Sequence, residues 1–484
     1  MSQVKTLSAR ERIEELLDAG SFIEIGACVH ARNTDFNMLK QQTPADGVIT
    51  GYGTIDSNLV YVFSQDASVM GGAIGEMHAR KIEKMYELAM KMGAPVIGMY
   101  DCAGLRLQEA TDALDALGRL YRQQTAASGV IPQYAAVFGQ CGGGTALLTA
   151  LSDFTLMVQD QSALFVNAPN TLDDGCKAAE HYAGAVFQST ETGNADFICE
   201  NEESLLAQLR ELVLMLPLNQ EDVLDYDVCE DDLNRKIEDY SQTGDTAQVL
   251  KAMTDSGRYV EVTAGYAREM VTAFIKLNGL TVGAVANRTA VCDENGEETE
   301  TFNGKLTAKG LQKAADFIRF CDAFSIPVLS MVSTTGFDTT VTNEKGAARE
   351  AARLIHTFAD ASVPKVTLLT GDAYGSAYLT MNSGHIGADL VYAWPNAAVG
   401  MMPAENAVKI IYNDEINASD DAKALIAEKA AAYAALQTSP ESAAGRGYVD
   451  AVIEPERTRQ HLIAAFEMLY SKRAVRPAKK HSTL

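Results

Sequence analysis

Val137-Phe138-Gly139-Gln140-Cys141-Gly142-Gly143-Gly144-Thr145-Ala146 is echoed by Leu369-Thr370-Gly371-Asp372-Ala373-Tyr374-Gly375-Ser376-Ala377-Tyr378. Gly139 stands against Gly371 and Gly143 against Gly375, an offset of 232 residues (371 − 139). Upstream, Gly93-Ala94-Pro95-Val96-Ile97-Gly98-Met99 matches Ser325-Ile326-Pro327-Val328-Leu329-Ser330-Met331 with the same offset of 232 (327 − 95). Two separate blocks at one offset indicate duplication of a whole domain, because a shared local turn leaves the spacing free. Around the blocks, Glu76 to Met92 has helical periodicity and ends at Gly93, and Pro95 to Tyr100 follows as a short buried strand. That order recurs at Gly310 to Phe324 and Pro327 to Val332. Repeated strand, helix and strand units predict an α/β fold of stacked ββα turns, with a mostly parallel sheet in each half. The expected domains are 1–235 and 236–484.

The chain of 484 residues is 47% apolar, enough for two cores of about 200 residues each. A net charge of −24 argues against nucleic acid or an anionic membrane surface as a partner. A small anion remains compatible with it, held by backbone amides and a few Arg or Lys. The eight cysteines form no Cys-x-x-Cys pair, so reduced thiols in a cytoplasmic protein are expected, without zinc or a disulfide framework. Met1 to Gly20 lacks an apolar signal core, and no apolar run reaches the roughly 18 residues of a membrane span.

Ser8-Ala9-Arg10-Glu11 reads as a capping box opening an amphipathic helix that runs to Gly20. Val48 to Gly53 and Asn58 to Phe63 alternate around Asp56-Ser57, the pattern of a hairpin. Pro217 to Asp245, with Asp225, Asp227, Glu230, Asp231 and Asp232, is expected to be a linker carrying a solvated helix. Cys292 to Thr301 centres on Asn295-Gly296 and predicts an exposed hairpin; Ser471 to Leu484 is a basic tail, free or docking a partner.

Small residues such as Gly142-Gly143-Gly144 and Gly375-Ser376-Ala377 let a backbone approach a ligand closely and aim successive N–H groups at one point. Paired donors at a helix start can hold a developing oxyanion, and an enolate formed from a thioester needs such a holder. The bland alternative is a tight strand-to-helix turn, and recurrence at matched repeat positions favours the functional reading. Other motifs are weaker. Ala89-Met90-Lys91-Met92 imitates the surroundings of a biotinylated lysine but ends a periodic helix, so it is read as part of that helix and not as a modification site. The seven histidines contain no His-Glu-x-x-His, and His78 and His356 fall in helical runs; no metal site is expected. No Gly-x-Ser-x-Gly elbow occurs, and Ser376 has no recognisable base beside it.

Leu7-Ser8-Ala9-Arg10-Glu11-Arg12-Ile13, Ala45-Asp46-Gly47-Val48-Ile49-Thr50-Gly51-Tyr52-Gly53, Phe63-Ser64-Gln65-Asp66, Ala127-Ser128-Gly129-Val130-Ile131-Pro132-Gln133 and Phe320-Cys321-Asp322-Ala323-Phe324 resemble the biotin-dependent acyl-CoA carboxyltransferases. The resemblance continues through Val363-Pro364-Lys365-Val366-Thr367, Tyr392-Ala393-Trp394-Pro395 and Arg446-Gly447-Tyr448-Val449-Asp450, nearly the whole chain. It implies two tandem crotonase-like (ClpP/crotonase ββα superhelix) domains and a hexamer whose active sites combine the first domain of one subunit with the second of another. The implied reaction moves a carboxyl group between carboxybiotin, on a biotin carboxyl carrier protein, and the α-carbon of a short-chain acyl-CoA. By motif, the amides of Gly143 and Gly144 would hold the thioester oxyanion, and those of Ser376 and Ala377 the biotin ureido oxygen. Cys141, Gly142, Gly104, Tyr374 and Gly375 would line the substrates. Arg106, in the family loop Asp101-Cys102-Ala103-Gly104-Leu105-Arg106, would face the CoA phosphates or form a structural ion pair.

A hydratase-like Gly-Gly-Gly-x-Glu turn is absent, since Ala146 stands at the glutamate position. The chain departs from the family in four places. Asn170 to Gly184 is a shortened form of the stretch that usually carries Gly-Gly-Ala-His, and Ser333-Thr334-Thr335-Gly336-Phe337 replaces Asp-x-Pro-Gly-Phe. Gly371-Asp372 replaces a basic pair, and Leu379 stands where propionyl-CoA members commonly have Asp. Three roles stay open. The first is the carboxyltransferase subunit of an acyl-CoA carboxylase with a biotin carboxylase partner. The second is the α-subunit of a sodium-pumping glutaconyl- or methylmalonyl-CoA decarboxylase with a membrane subunit. The third is a non-catalytic scaffold.

Overall fold

The computed structural model describes residues 6–34, 36–172, 181–222, 228–293, 295–474, 477, 479 and 483. The chain divides into two compact units, Met1–Val223 and Leu224–Leu484. In the first, the strands are β1 (Ile23–Glu24), β2 (Val48–Ile55), β3 (Asn58–Gln65), β4 (Val96–Cys102), β5 (Gln133–Gly142), β6 (Phe154–Val158), β7 (Ala163–Phe165) and β8 (Phe197–Cys199). They form a sheet in the order β1-β2-β3-β4-β5-β6-β8, with β7 paired on β5. β1 to β3 run antiparallel, and from β3 onward the pairing is parallel. The second unit has β9 (Tyr259–Val262), β10 (Met270–Leu277), β11 (Leu280–Asn287), β12 (Ala290–Cys292), β13 (Glu298–Thr301), β14 (Val328–Thr334), β15 (Lys365–Tyr374), β16 (Leu390–Ala393), β17 (Ala398–Gly400) and β18 (Ala451–Val452). Its sheet repeats the first: β9-β10-β11-β14-β15-β16-β18, with β17 paired on β15.

Register shows the duplication in finer detail than sequence does. β4 and β5 shift register between Tyr100 and Cys102, and β14 and β15 between Val332 and Thr334, again 232 residues apart (332 − 100). The hairpin strands instead match at 222 (270 − 48). Ten residues enter between β11 and β14, where β12 and β13 form a separate two-stranded sheet with Gly296 at φ +82° in its turn. The inserted acidic hairpin thus accounts for the change of offset.

The local signals largely operate as chemistry requires. Ser8 Oγ accepts from the Glu11 amide at 3.3 Å and Glu11 Oε2 from the Ser8 amide at 2.8 Å, closing the capping box. That helix, Ala9–Leu16, stops short of Gly20 because Leu17 is already extended, at φ −88° and ψ 163°. The Asp18 carboxylate accepts the Asp56 and Ser57 amides, and both of these turn residues have positive φ. Helix Glu76–Met92 buries His78, Ala79, Lys81, Ile82, Met85, Tyr86 and Ala89 on one face and ends at left-handed Gly93. Each fully buried large apolar side chain on such a face contributes about 1.5–3 kcal/mol.

Two expectations change. The described part of Pro217 to Asp245 holds no helix between 228 and 245. Arg235 there donates to Asp231 and to the Ala252 carbonyl at 2.9 Å, and the Ile237 amide donates to Glu456, so side-chain and edge contacts replace helical bonds. Asp225 and Asp227 lie outside the described residues. The basic tail is tied down at Lys472, whose Nζ reaches Asp389 at 2.7 Å, and at Lys479, 2.6 Å from Asp360. Among the described residues no helix is long and apolar enough to cross a membrane.

At each bulge the strands touch through glycine. A Cβ on Gly139 would overlap the Asp101 carboxylate, and one on Gly371 would overlap Ser333 Oγ and lie 3.2 Å from Ser333 Cβ. Gly371→Ala is expected to destabilise the protein by about 1–3 kcal/mol through overpacking. Ser333→Gly in the same chain should recover part of that loss, as read from urea unfolding midpoints of the two single variants and the pair.

Candidate active site

β5 ends at Gly142, and helix Gly144–Ala150 begins two residues later. Gly143 bridges them at φ +64° and ψ −130°, a backbone region that is essentially glycine's alone. Its amide donates to the Phe165 carbonyl at 2.9 Å, extending the parallel ladder in which Gly142 faces Phe165. The donor pair expected from sequence is thereby reduced to the Gly144 amide, which heads the helix and has no intrahelical acceptor. The Gly144 carbonyl is held by Tyr121 Oη at 2.7 Å. Cys141 is buried and pairs in register with Cys102, its thiol pushed up to about 12 by burial. Gly104 borders the turn: a Cβ on it would lie 3.9 Å from the Gly142 carbonyl, and its own carbonyl accepts from Ile74.

The second copy has the same plan. β15 ends at Tyr374, and helix Gly375–Thr380 starts at once, with Gly375 at φ +59° and room for a Cβ only 3.1 Å from the Met401 carbonyl. The amides of Ser376 and Ala377 belong to the first turn of that helix, whose N–H groups have no intrahelical acceptor. Burial raises the Tyr374 phenol to about 12, with neighbouring Asp372 adding to it, and burial also raises the Asp372 carboxyl. Tyr374, Gly375, Ser376 and Ala377 therefore come together, as do Gly104, Cys141, Gly142, Gly143 and Gly144.

Arg106 does not join either group. Its side chain is 0% exposed and reaches Asp46 Oδ1 at 2.6 Å, Glu109 Oε1 at 2.8 Å and the Ala73 carbonyl at 3.0 Å. Of the two roles open in the sequence, CoA phosphate contact is corrected to a buried ion-pair network: no phosphate reaches a guanidinium so enclosed.

Several residues at the turns escaped the sequence reading. Gln65 Oε1 accepts the Asp101 amide at 3.2 Å, and Asn287 Oδ1 accepts the equivalent Ser333 amide at 2.9 Å. A polar residue ending an apolar strand was the available signal. The Asp101 carboxylate in turn accepts the Gln140 amide; burial raises its pKa, and Arg12, 3.5 Å away, opposes this. Arg12 also lies 4.5 Å from the Phe138 ring and 3.6 Å from Glu202. In the second unit Thr370 replaces Phe138, and the corresponding place is a polar cavity of about 270 Å³ bordered by Ser333, Thr370, Gly371 and Asn396.

Beside the first turn lies a cavity of about 570 Å³, lined by Gln140, Ser162, Phe165, His181, Gly184 and Phe187 among others. His181 and Phe187 on its wall form an aromatic cluster with Tyr182, which meets Phe187 edge to face at 5.0 Å. Of the shortened segment expected from Asn170 to Gly184, residues 173–180 lie outside the described residues. The size suits a small-molecule ligand.

A family model described as the carboxyl transferase domain matches residues 5–484. The chain belongs to the carboxyl transferase family. It is 40% identical over 490 residues to the methylmalonyl-CoA decarboxylase subunit alpha of Veillonella parvula, covering 99% of this chain and 93% of that protein. To the propionyl-CoA carboxylase beta chain of Roseobacter denitrificans it is 39% identical, with the same coverages of 99% and 93%. Among solved structures, the transcarboxylase 12S hexamer with methylmalonyl-coenzyme A and methylmalonic acid bound superposes with a TM-score of 0.93 at 37% identity, covering 99% of this chain and 92% of the other. The fold of this carboxyl transferase is accordingly the tandem crotonase-like one, and each sheet with its glycine turn is one crotonase-like unit.

Proposed function

We propose that this chain is the carboxyltransferase subunit that moves a carboxyl group between carboxybiotin on a separate carrier protein and the α-carbon of propionyl-CoA or methylmalonyl-CoA. The observation that carries the reading is the duplicated helix start. Both copies start a helix at the turn, and neither Gly142–Gly144 nor Gly375–Ala377 bears a carboxylate or imidazole. Turns that hold an oxyanion but carry no base leave the α-proton to a base from elsewhere, and the second substrate brings one. Carboxybiotin, when bound, supplies both the carboxyl group and the base that takes the α-proton. A ureido oxygen is a hydrogen-bond acceptor, which suits the Ser376 and Ala377 amides at the helix start.

In this reading the Gly144 amide holds the thioester oxygen as negative charge gathers on it, and Gly143 aims that amide by its backbone conformation. The Ser376 and Ala377 amides hold the ureido oxygen. The 570 Å³ cavity beside the first turn receives the acyl end. A hexamer is proposed on the likeness to transcarboxylase 12S, with the carrier and a biotin carboxylase as partners in the cytoplasm. The near-equal identity to decarboxylase alpha subunits, 39% and 40%, supports a second role, in which the transfer runs from acyl-CoA to biotin and a membrane subunit is the partner.

The test is carboxyl exchange. Purified protein with a biotinylated carrier should exchange label between carboxybiotin and methylmalonyl-CoA, more slowly with malonyl-CoA. Silence with every short acyl-CoA would overturn the proposal in favour of a scaffold.

A further inference from the structure

We infer that His78 is a positioning residue for the first glycine turn, acting through Gln65 and Asp101 as a neutral imidazole protonated on Nδ1. The inference rests on the carboxyltransferase reading for its kinetic consequence, and on contacts alone for its geometry.

His78 is fully buried in helix Glu76–Met92. Its Nδ1 lies 3.0 Å from the Asp46 carbonyl oxygen and its Nε2 3.2 Å from Gln65 Nε2. A carbonyl oxygen only accepts, so Nδ1 carries the proton and Nε2 presents a lone pair. That lone pair selects the NH₂ end of the Gln65 amide, which leaves Gln65 Oε1 facing the Asp101 amide at 3.2 Å. Asp101 forms the β4 bulge, and its carboxylate accepts the Gln140 amide two residues before Gly142. Every donor and acceptor in this chain has one assignment.

Asp46 secures the opposite end of the same loop. It sits in a run of three left-handed residues, Ala45, Asp46 and Gly47, at φ +51°, +51° and +71°. Its Oδ2 accepts the His78 amide at 2.7 Å and its Oδ1 the Arg106 guanidinium at 2.6 Å. The loop from Asp101 to Arg106 is thus fixed at one end by Gln65 and at the other by Asp46, with His78 joining the two. The second unit shows why a histidine is needed here. Asn287 bonds both the amide and the carbonyl of Ser333, so its amide orients itself. The position matching His78 at the 232 offset is Gly310 (310 − 78). Gln65 accepts the Asp101 amide of the bulge with the Cys102 thiol also beside it, and His78 sets which end of Gln65 meets that amide.

The groups facing the imidazole are Asp46 from the turn, Arg106 from the loop and Lys81 from its own helix. Burial, then Arg106, hold its pKa down to about 3, so it stays neutral at physiological pH.

Three variants test the role in carboxyl exchange. His78→Gln keeps an acceptor facing Gln65 and should stay within about threefold of wild type, whereas His78→Asn strands the Gln65 NH₂ and should lower kcat on the order of 10²-fold with acyl-CoA KM little changed. Gln65→Glu removes the donor toward Nε2. The new carboxylate favours an imidazolium, which donates from both nitrogens, so activity lost at pH 8 should return as pH falls toward 6. Equal losses in both His78 variants, or a Gln65→Glu profile like wild type, would overturn the positioning role. Crystal structures separate this from failure of the functional reading. If His78→Asn leaves the Asp101 bulge and the Gly142–Gly144 turn unmoved, the inference fails whatever the wild type catalyses; a displaced turn sustains it even if no exchange is found.

Discussion

Gly143→Val is expected to lower carboxyl exchange by about 10²- to 10³-fold, the usual cost of losing one oxyanion donor, while the protein stays folded. The reason lies in the backbone. At φ +64° and ψ −130° a β-branched residue is strained, at a cost of about 1–3 kcal/mol. Yet a Cβ there meets nothing within 4 Å, so packing does not object. Relief of the strain comes by rotating the peptide between Gly143 and Gly144, and that rotation redirects the amide assigned to the thioester oxygen. Gly144 offers a contrasting control: a Cβ there would crowd Leu117 Cδ2 at 2.5 Å and Tyr121 Oη at 2.9 Å, so its replacement should cost stability as well as activity. Single-turnover exchange and size-exclusion profiles of Gly143→Val decide the matter. A wild-type rate would remove the first turn from the mechanism.

The features legible in the sequence are those written in local chemistry. The capping box at Ser8, the helix stop at Gly93, the Asp56-Ser57 hairpin and the duplicated turns each depend on a few adjacent residues, and all four recur in the structure. The features that were illegible depend on residues brought together by tertiary packing. Gln65, His78 and Asp46 meet only because β3, a helix and a left-handed turn converge, and no spacing in the chain announces it. Arg106 had two readings for the same reason: burial alone separates a phosphate contact from an ion pair. The linker misled because acidic composition predicts solvation, whereas Asp231 is bonded to Arg235 and Arg459. Gly143 reads as a donor in the sequence because the residue that occupies its amide, Phe165 on the neighbouring strand β7, has no sequence signature.

The two copies have diverged where the duplicate sheets are most alike. Asp101 with Gln65 and Arg12 makes the first bulge a charged, filled structure; Ser333 with Asn287 makes the second a neutral one beside an open polar cavity. An identical backbone plan therefore carries unequal electrostatics, in keeping with the unequal substrates proposed for the two turns.

Arg106→Met is expected to destabilise the first unit by about 3–5 kcal/mol, because it leaves Asp46 and Glu109 buried without their counter-charge. Both carboxylates and the guanidinium have 0% exposed side chains, so water cannot replace what is removed. The loss should depend on pH with a defined sign. Burial already raises the Asp46 carboxyl, and Arg106 is the largest influence opposing that rise. Without Arg106 its folded-state pKa climbs further above the unfolded carboxylate value of about 4. A group whose folded pKa is raised binds its proton more tightly in the folded state, so the variant is most stable below about pH 4 and loses stability as pH rises through the folded pKa. The gap in urea midpoint between wild type and Arg106→Met should therefore widen from pH 5 to pH 8. Adding Asp46→Asn removes one stranded charge and should narrow the gap at pH 8. Where the variant remains folded, its KM for acyl-CoA should match wild type. A KM raised tenfold with unchanged stability would return Arg106 to the CoA phosphates and place this loop in the binding site rather than beneath it.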